Sequence, residues 1–141
     1  MKEYSFLPIN HELIEKCHKL NEKNVPNVGS RTLEGLSNSI KNSDYNESIV
    51  FGNTVIGFVV CFQDNEQTKS YMSEIKHKNF KEISNRVKNF LYIDRIVVDD
   101  QFRNIKLGTK LYENILVFAK QNSLQHLTAE INLLPSINKG S

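Results

Sequence analysis

Cysteine is scarce in this sequence: Cys17 and Cys61 are the two present, too few for a disulfide scaffold. Both stand in an apolar setting, so buried free thiols in a reducing compartment are expected. There is no run of about 18 apolar residues, no leader pattern and no lipidation motif, which points to a cytoplasmic chain. Neither sign of charge dominates. With 18 basic and 16 acidic side chains the net charge is +2, so bulk attraction to nucleic acid or to a membrane is not expected. Internal repeats and low-complexity tracts are absent. His11, His18, His77 and His126 lack metal-ligand spacing with Cys, Asp or Glu, so no metal site is expected. No local Cys-His or Ser-His-Asp signature of covalent catalysis is present either. What remains is one domain over residues 1–141 with one core, burying roughly two-thirds of its unfolded surface.

The informative stretch runs from Phe90 to Lys120. Tyr92-Ile93-Asp94-Arg95-Ile96-Val97-Val98 is β-branched and aromatic, which suits a mostly buried strand. Asp99-Asp100-Gln101 ends it with turn chemistry. From Leu107 the apolar period becomes helical: Leu107, Leu111, Ile115 and Phe118 form a stripe that Leu116 and Val117 widen. Between strand and helix lies a basic turn, Arg103 to Lys110. Such a turn aims several backbone N–H groups at one spot, and the helix dipole adds positive potential. With Arg103, Lys106 and Lys110 it makes a plausible diphosphate cradle.

The turn resembles the Arg/Gln-x-x-Gly-x-Gly/Ala signature of the GNAT superfamily of acyl-CoA-dependent N-acetyltransferases. Arg103 stands at its first position and Gly108 at its last, with Lys106 where the pattern has its first glycine. A second block, Ala129 to Ser141, is similar to the Glu-Val-Asn-x-x-Pro-x-Asn-x-x-Ser segment of a subgroup of bacterial members. That subgroup also carries a Tyr-x-Asp-Arg-Ile-Val-Val strand, matched by Tyr92 to Val98. The resemblance is strong over residues 90–141 and loose before them. It implies an α/β (α+β) fold, a mixed central sheet flanked by helices. The resembled fold continues past the position of Ser141 with a helix and two strands, so a fold truncated at its C-terminus is expected. The uncovered sheet edge invites a partner, and a homodimer through it is the corresponding expectation.

The rest of the chain fits that plan. Tyr4-Ser5-Phe6-Leu7 is a candidate first strand, and Asn10 a good cap for a helix over His11–Lys23. Pro26 and Gly29 mark a loop, after which Ser30 or Thr32 caps a second helix, Leu33 to Lys41. Asp44-Tyr45-Asn46 reads as a turn. Strands Glu47–Phe51 and Val55–Phe62 form a hairpin about Gly52-Asn53-Thr54. The second is apolar on both faces, as a central strand is, and Gly57 permits close packing by a neighbour. Gln63 to Asn89 is polar and irregular, an inserted loop or flap over the acceptor site. Tyr71, Met72, Ile75, Phe80, Ile83 and Val87 form one face if it folds into one or two short helices. Leu124 to Asn132 reads as the last strand.

Site roles follow from the resemblance. The backbone of Ile96, Val97 and Val98 would bond the pantetheine arm of acetyl-CoA, with an N–H near Val97 facing the thioester oxygen. Arg103, Asn104, Ile105, Lys106, Leu107, Gly108, Thr109 and Lys110 would hold the pyrophosphate, and Asn138 would contact the cofactor arm. Lys106 brings a charge to the phosphates but also a Cβ where glycine allows close approach and positive φ. The implied reaction transfers acetyl directly to a primary amine of a small molecule or protein. The alternatives are a degenerate CoA-binding remnant and an interaction module without catalysis. For the base, strand alternation puts Asp94 on one face with Tyr92 and Ile96, and Glu130 with Asn132 on the next strand. Facing carboxylates there raise one another's pKa or bind a cationic amine. Asp94 and Glu130 are thus the catalytic candidates, with Tyr92 and Asn132 toward the substrate. The competing readings are an Asp94–Arg95 salt bridge and a structural or exposed Glu130.

Overall fold

The computed structural model describes residues 3–129. Five strands form one mixed sheet in sequence order: β1 (Tyr4–Leu7), β2 (Tyr45–Phe51), β3 (Thr54–Gln63), β4 (Phe90–Val98) and β5 (His126–Ala129). The first four are antiparallel to their neighbours, and β5 lies parallel to β4. Helices α1 (Ile14–Lys23), α2 (Leu33–Asn42), α3 (Glu66–Glu74) and α4 (Lys78–Arg86) share one apolar cluster with the sheet, and α5 (Leu107–Gln121) belongs to a second.

β3 is the spine. From Val55 to Phe62 every residue is buried, and alternating side chains supply both clusters: Phe58, Val60 and Phe62 to one, Val59 and Cys61 to the other. Gly57 lies where a Cβ would stand 3.1 Å from the Val97 carbonyl oxygen, so β3 and β4 approach closely there. In the β2–β3 hairpin Phe51 pairs with Thr54 across Gly52 and Asn53, with Gly52 at φ 64°. Cys17 and Cys61 are buried free thiols, and burial pushes Cys17 up to about 12.

Caps set the early helices. The Asn10 side chain accepts from Leu13 N–H at the start of a short 3-10 turn leading into α1, and Thr32 accepts from Gly35 N–H at α2. Two expectations change. Tyr45 and Asn46 are not a turn: they already pair with Cys61 and Val60. Residues 63–89 are not an irregular loop: they take the two-short-helix form, and α3 and α4 fold onto the sheet and bury Tyr71, Met72 and Phe80 in the core. Ile83 and Val87 pack against it, whereas Ile75 is exposed. Among the described residues no helix is long and apolar enough to cross a membrane.

Candidate functional site

The site is organised by an irregularity in β4. Arg95 pairs with Val60 and Ile93 with Cys61, so Asp94 is an extra residue, a β-bulge. The bulge breaks the alternation expected from sequence. Tyr92 and Val97 both belong to the cluster under α1–α4, while Ile96 is half-buried and touches both clusters. Val98 is half-buried on the α5 side.

Around Asp94 lies a dry polar cluster. Its carboxylate accepts from His77 Nε2 at 3.0 Å and Arg95 Nε at 3.3 Å, and pairs with Arg31 Nη2 at 3.5 Å. Burial alone pushes the carboxyl up, but the His77 hydrogen bond and the two guanidiniums outweigh it and hold it at about 2. This corrects two expectations for Asp94. Its pKa is lowered rather than raised, and a carboxylate so held is a poor proton acceptor at neutral pH. The salt bridge with Arg95 is what the structure contains. Tyr92 is corrected too: it is fully buried, packed edge-on to His77 and Phe80, with ring centroids 5.5 and 5.7 Å away.

The cluster ties distant elements to β4. Arg95 Nη1 donates to Asn21 Oδ1 of α1 at 2.6 Å and to Gly29 O of the α1–α2 loop at 3.0 Å. Glu22 holds the same loop, accepting from Arg31 N–H and the Ser30 hydroxyl, and these bonds lower its pKa to about 2. Arg31 also donates to Ser39 Oγ at 3.0 Å, and Ser39 shares a 2.8 Å hydrogen bond with Tyr71. Sequence reasoning missed Arg31, Ser39, Tyr71 and His77 as a group; no local motif joins them. His77 has a further part. Its Nδ1 accepts from Phe80 N–H at 3.1 Å, capping α4. Nδ1 is therefore unprotonated and the Nε2 proton points to Asp94.

Above this cluster runs a groove of about 700 Å³ between α2 and the α3–α4 pair. Arg31, Ser39, Tyr71, Glu74, His77 and Lys78 are among its lining residues.

At the far end of β4 the chain turns through a 3-10 helix, Asp100–Ile105, which contains the backbone of Arg103, Asn104 and Ile105. Their side chains lie outside the description. Lys106 then adopts φ 61°, ψ 27°, the left-handed conformation that glycine takes without cost. It opens α5 without a side-chain cap, and the first turn of α5 carries no acidic residue. Lys106, Thr109 and Lys110 are exposed, whereas the Leu107 side chain enters the core and leaves only its backbone to the surface. A Cβ on Gly108 would meet Val98 Cγ2 at 3.8 Å, ordinary contact, so the helix start lies against the end of β4. A helix start with cationic side chains and no carboxylate in its first turn fits a diphosphate. Glu130, Asn132 and Asn138 lie outside the described residues.

A five-stranded sheet with a bulged fourth strand leading to a basic helix start, covered by helices on both faces, defines an acetyltransferase class of fold. The chain belongs to the acetyltransferase (GNAT) family, whose model matches residues 15–138. No curated protein matches it in sequence. Among solved structures it is similar to the aminoglycoside N-acetyltransferase AAC(6')-Iy in complex with CoA: TM-score 0.68, 10% identity, covering 99% of this chain and 84% of that one. It is also similar to a GNAT-family acetyltransferase from Staphylococcus aureus Mu50, with TM-score 0.65, 15% identity and 97% and 80% coverage. A third is Arabidopsis thaliana Naa50 in complex with a bisubstrate analogue, with TM-score 0.58, 12% identity and 84% and 65% coverage. At these identities the likeness is one of fold.

Proposed function

We propose that the protein is an acetyl-CoA-dependent N-acetyltransferase that transfers acetyl directly to a primary amine. The observation that carries this reading is the continuous path in β4, from the bulge at Asp94 to the cap-free start of α5 at Lys106, in a chain of the GNAT family. Acetyl-CoA, when bound, supplies the acetyl thioester. The backbone of Ile96, Val97 and Val98 lines the arm, and the turn Arg103, Asn104, Ile105, Lys106, Leu107, Gly108, Thr109 and Lys110 receives the pyrophosphate. Asn138 completes the donor contacts.

The chemistry forms a C–N bond and breaks a C–S bond, with one proton leaving the amine and one reaching the thiolate. A backbone N–H near Val97 would stabilise charge on the carbonyl oxygen. Glu130, just beyond the described part of β5, is the base in this proposal, with Asn132 beside it toward the acceptor. Asp94 instead fixes the bulge as counter-ion to Arg31 and Arg95. The compartment that fits this donor and two free thiols is the cytoplasm, and a homodimer through the β5 side is part of the proposal.

The test is calorimetric titration with acetyl-CoA, then thiol release with pooled amines. Micromolar affinity corresponds to about −8 kcal/mol. Arg103→Glu places a negative charge beside the phosphates and should weaken binding by about tenfold or more. Equal affinity in the variant removes the turn as the phosphate site, and binding without thiol release favours a CoA-binding remnant.

A further inference from the structure

The groove between α2 and the α3–α4 pair has walls of uneven chemistry. The α2 wall carries Asn38 and Asn42, and the opposite wall carries Glu74, Lys78 and Asn79 beside the apolar Ile75, so hydrogen-bonding groups are set among apolar surface. Its floor is the Asp94 cluster, and that cluster is not neutral. Among the described residues two guanidiniums, Arg31 and Arg95, meet one carboxylate, Asp94, and the side chains of Asp94 and Arg95 are nearly dry. One positive charge is left over. Arg31 lines the groove and is 22% exposed, so that charge faces the cavity, while Lys78 at the first position of α4 and Glu74 on the same wall offset one another. A small anionic group is the ligand this arrangement favours, since a desolvated guanidinium binds a carboxylate by paired hydrogen bonds.

The position of Arg31 narrows the class further. Its guanidinium lies 3.5 Å from Asp94, so an anion seated on it is next to the bulge of β4. An amine joined to that anion through one or two carbons would be held close to Arg31, the groove residue that pairs with the buried Asp94 of β4.

We infer that this groove is the acceptor site and that it takes a small amine bearing a neighbouring carboxylate, an amino acid in chemical class. Arg31 and Lys78 would hold the carboxylate, while Asn38, Asn42 and Asn79 would read a polar side chain. The inference rests on the acetyl-transfer reading, but its binding step is measurable without the donor.

The experiment titrates each of the standard amino acids into the isotopically labelled full chain, followed by amide shifts. The decarboxylated amine of every binder is then titrated in the same way. The expected result is at least one amino acid that moves the amides of Gly35, Asn38, Lys78 and Asn79, with its decarboxylated partner bound at least about tenfold more weakly. Lys78→Glu, a change at an exposed position, should weaken that binding by about tenfold, because a charge is reversed at the mouth. The proposal is overturned if no amino acid moves these amides at about 10 mM, weaker than the −4 kcal/mol of a millimolar complex. It is also overturned if amine and amino acid bind equally. Thiol release from acetyl-CoA separates the two readings. Groove binding without thiol release leaves the site standing and removes transfer. Thiol release with amines that leave the groove amides unmoved keeps transfer and removes the site.

Discussion

Lys106 carries the same αL conformation that a glycine would adopt freely, at φ 61°. For an L-residue that conformation costs about 1–2 kcal/mol, while glycine returns about 0.4–1 kcal/mol of this through its freer unfolded chain. Lys106→Gly should therefore raise stability by about 0.5–1 kcal/mol in urea denaturation, while lowering donor affinity through the lost charge. A fall in both, or no change in either, removes this account of the turn. Asp94 carries the larger effect. Its folded pKa, about 2, lies below its ordinary 3.8, so its stabilisation is complete above 3.8 and is lost as pH falls toward 2. The difference is worth about 2 kcal/mol at neutral pH. Glu22, lowered from 4.5 to about 2, steepens the same fall. Stability should stay level from about pH 7 to pH 5 and drop below about pH 4. Asp94→Asn should cost about 3–5 kcal/mol, because it leaves two guanidiniums without their counter-ion, and should flatten much of the acid slope. A variant as stable as the parent, with the slope intact, would falsify the counter-ion role.

Among the elements, α4 depends on an unusual cap. Its nine residues, Lys78–Arg86, bury one side chain, Phe80, so its N-terminus matters. His77→Ala removes the acceptor for Phe80 N–H and one donor to Asp94. The expected loss is about 2–3 kcal/mol, from a cap and a charged hydrogen bond. Hydrogen exchange should show faster amides in α4 with α5 unchanged; equal protection in α4 would mean the cap contributes nothing. The same helix shows where sequence reading stops. Asn10 and Thr32 are legible as caps because short oxygen-bearing side chains are the common solution. Histidine is not, so His77 carried no such signal. β3 and β4 were legible as continuous β-branched and aromatic runs, and α5 by its apolar period of 3.6. In α3 and α4 the core anchors Tyr71, Met72 and Phe80 were legible as one helical face, but polar surroundings hid that the segment packs as core rather than as a loop. The bulge was the costliest omission. One extra residue reassigns every face after Ile93, and simple alternation put Asp94 and Ile96 together. The partners of Arg95 were beyond reach for another reason. Asn21 is 74 positions away, and no local pattern in one sequence joins such residues.

In the whole molecule both halves of the proposed chemistry are tied to β4. The donor turn opens α5, the groove lies between α2 and α3–α4, and β4 is the element both share. The sheet is thus the common support, so a bound donor would raise stability. The proposed donor side could be read from sequence because Arg103 to Lys110 is a contiguous motif. The proposed acceptor groove is assembled from α2, α3 and α4, so no contiguous motif announces it. Linkage supplies a prediction for the intact protein. A ligand that binds only the folded chain at a hundred times its dissociation constant stabilises by about 2.7 kcal/mol. For a chain of 141 residues, that corresponds to a rise in Tm of roughly 5–11 °C. Acetyl-CoA should produce such a shift in differential scanning calorimetry. In the proposed site the exposed Lys106 and Lys110 would meet phosphates across water, so the shift should shrink as salt rises toward about 1 M, where the screening length is about 3 Å. A shift insensitive to salt would place the binding energy in apolar contacts rather than at the turn, and no shift at all would leave β4 without a donor.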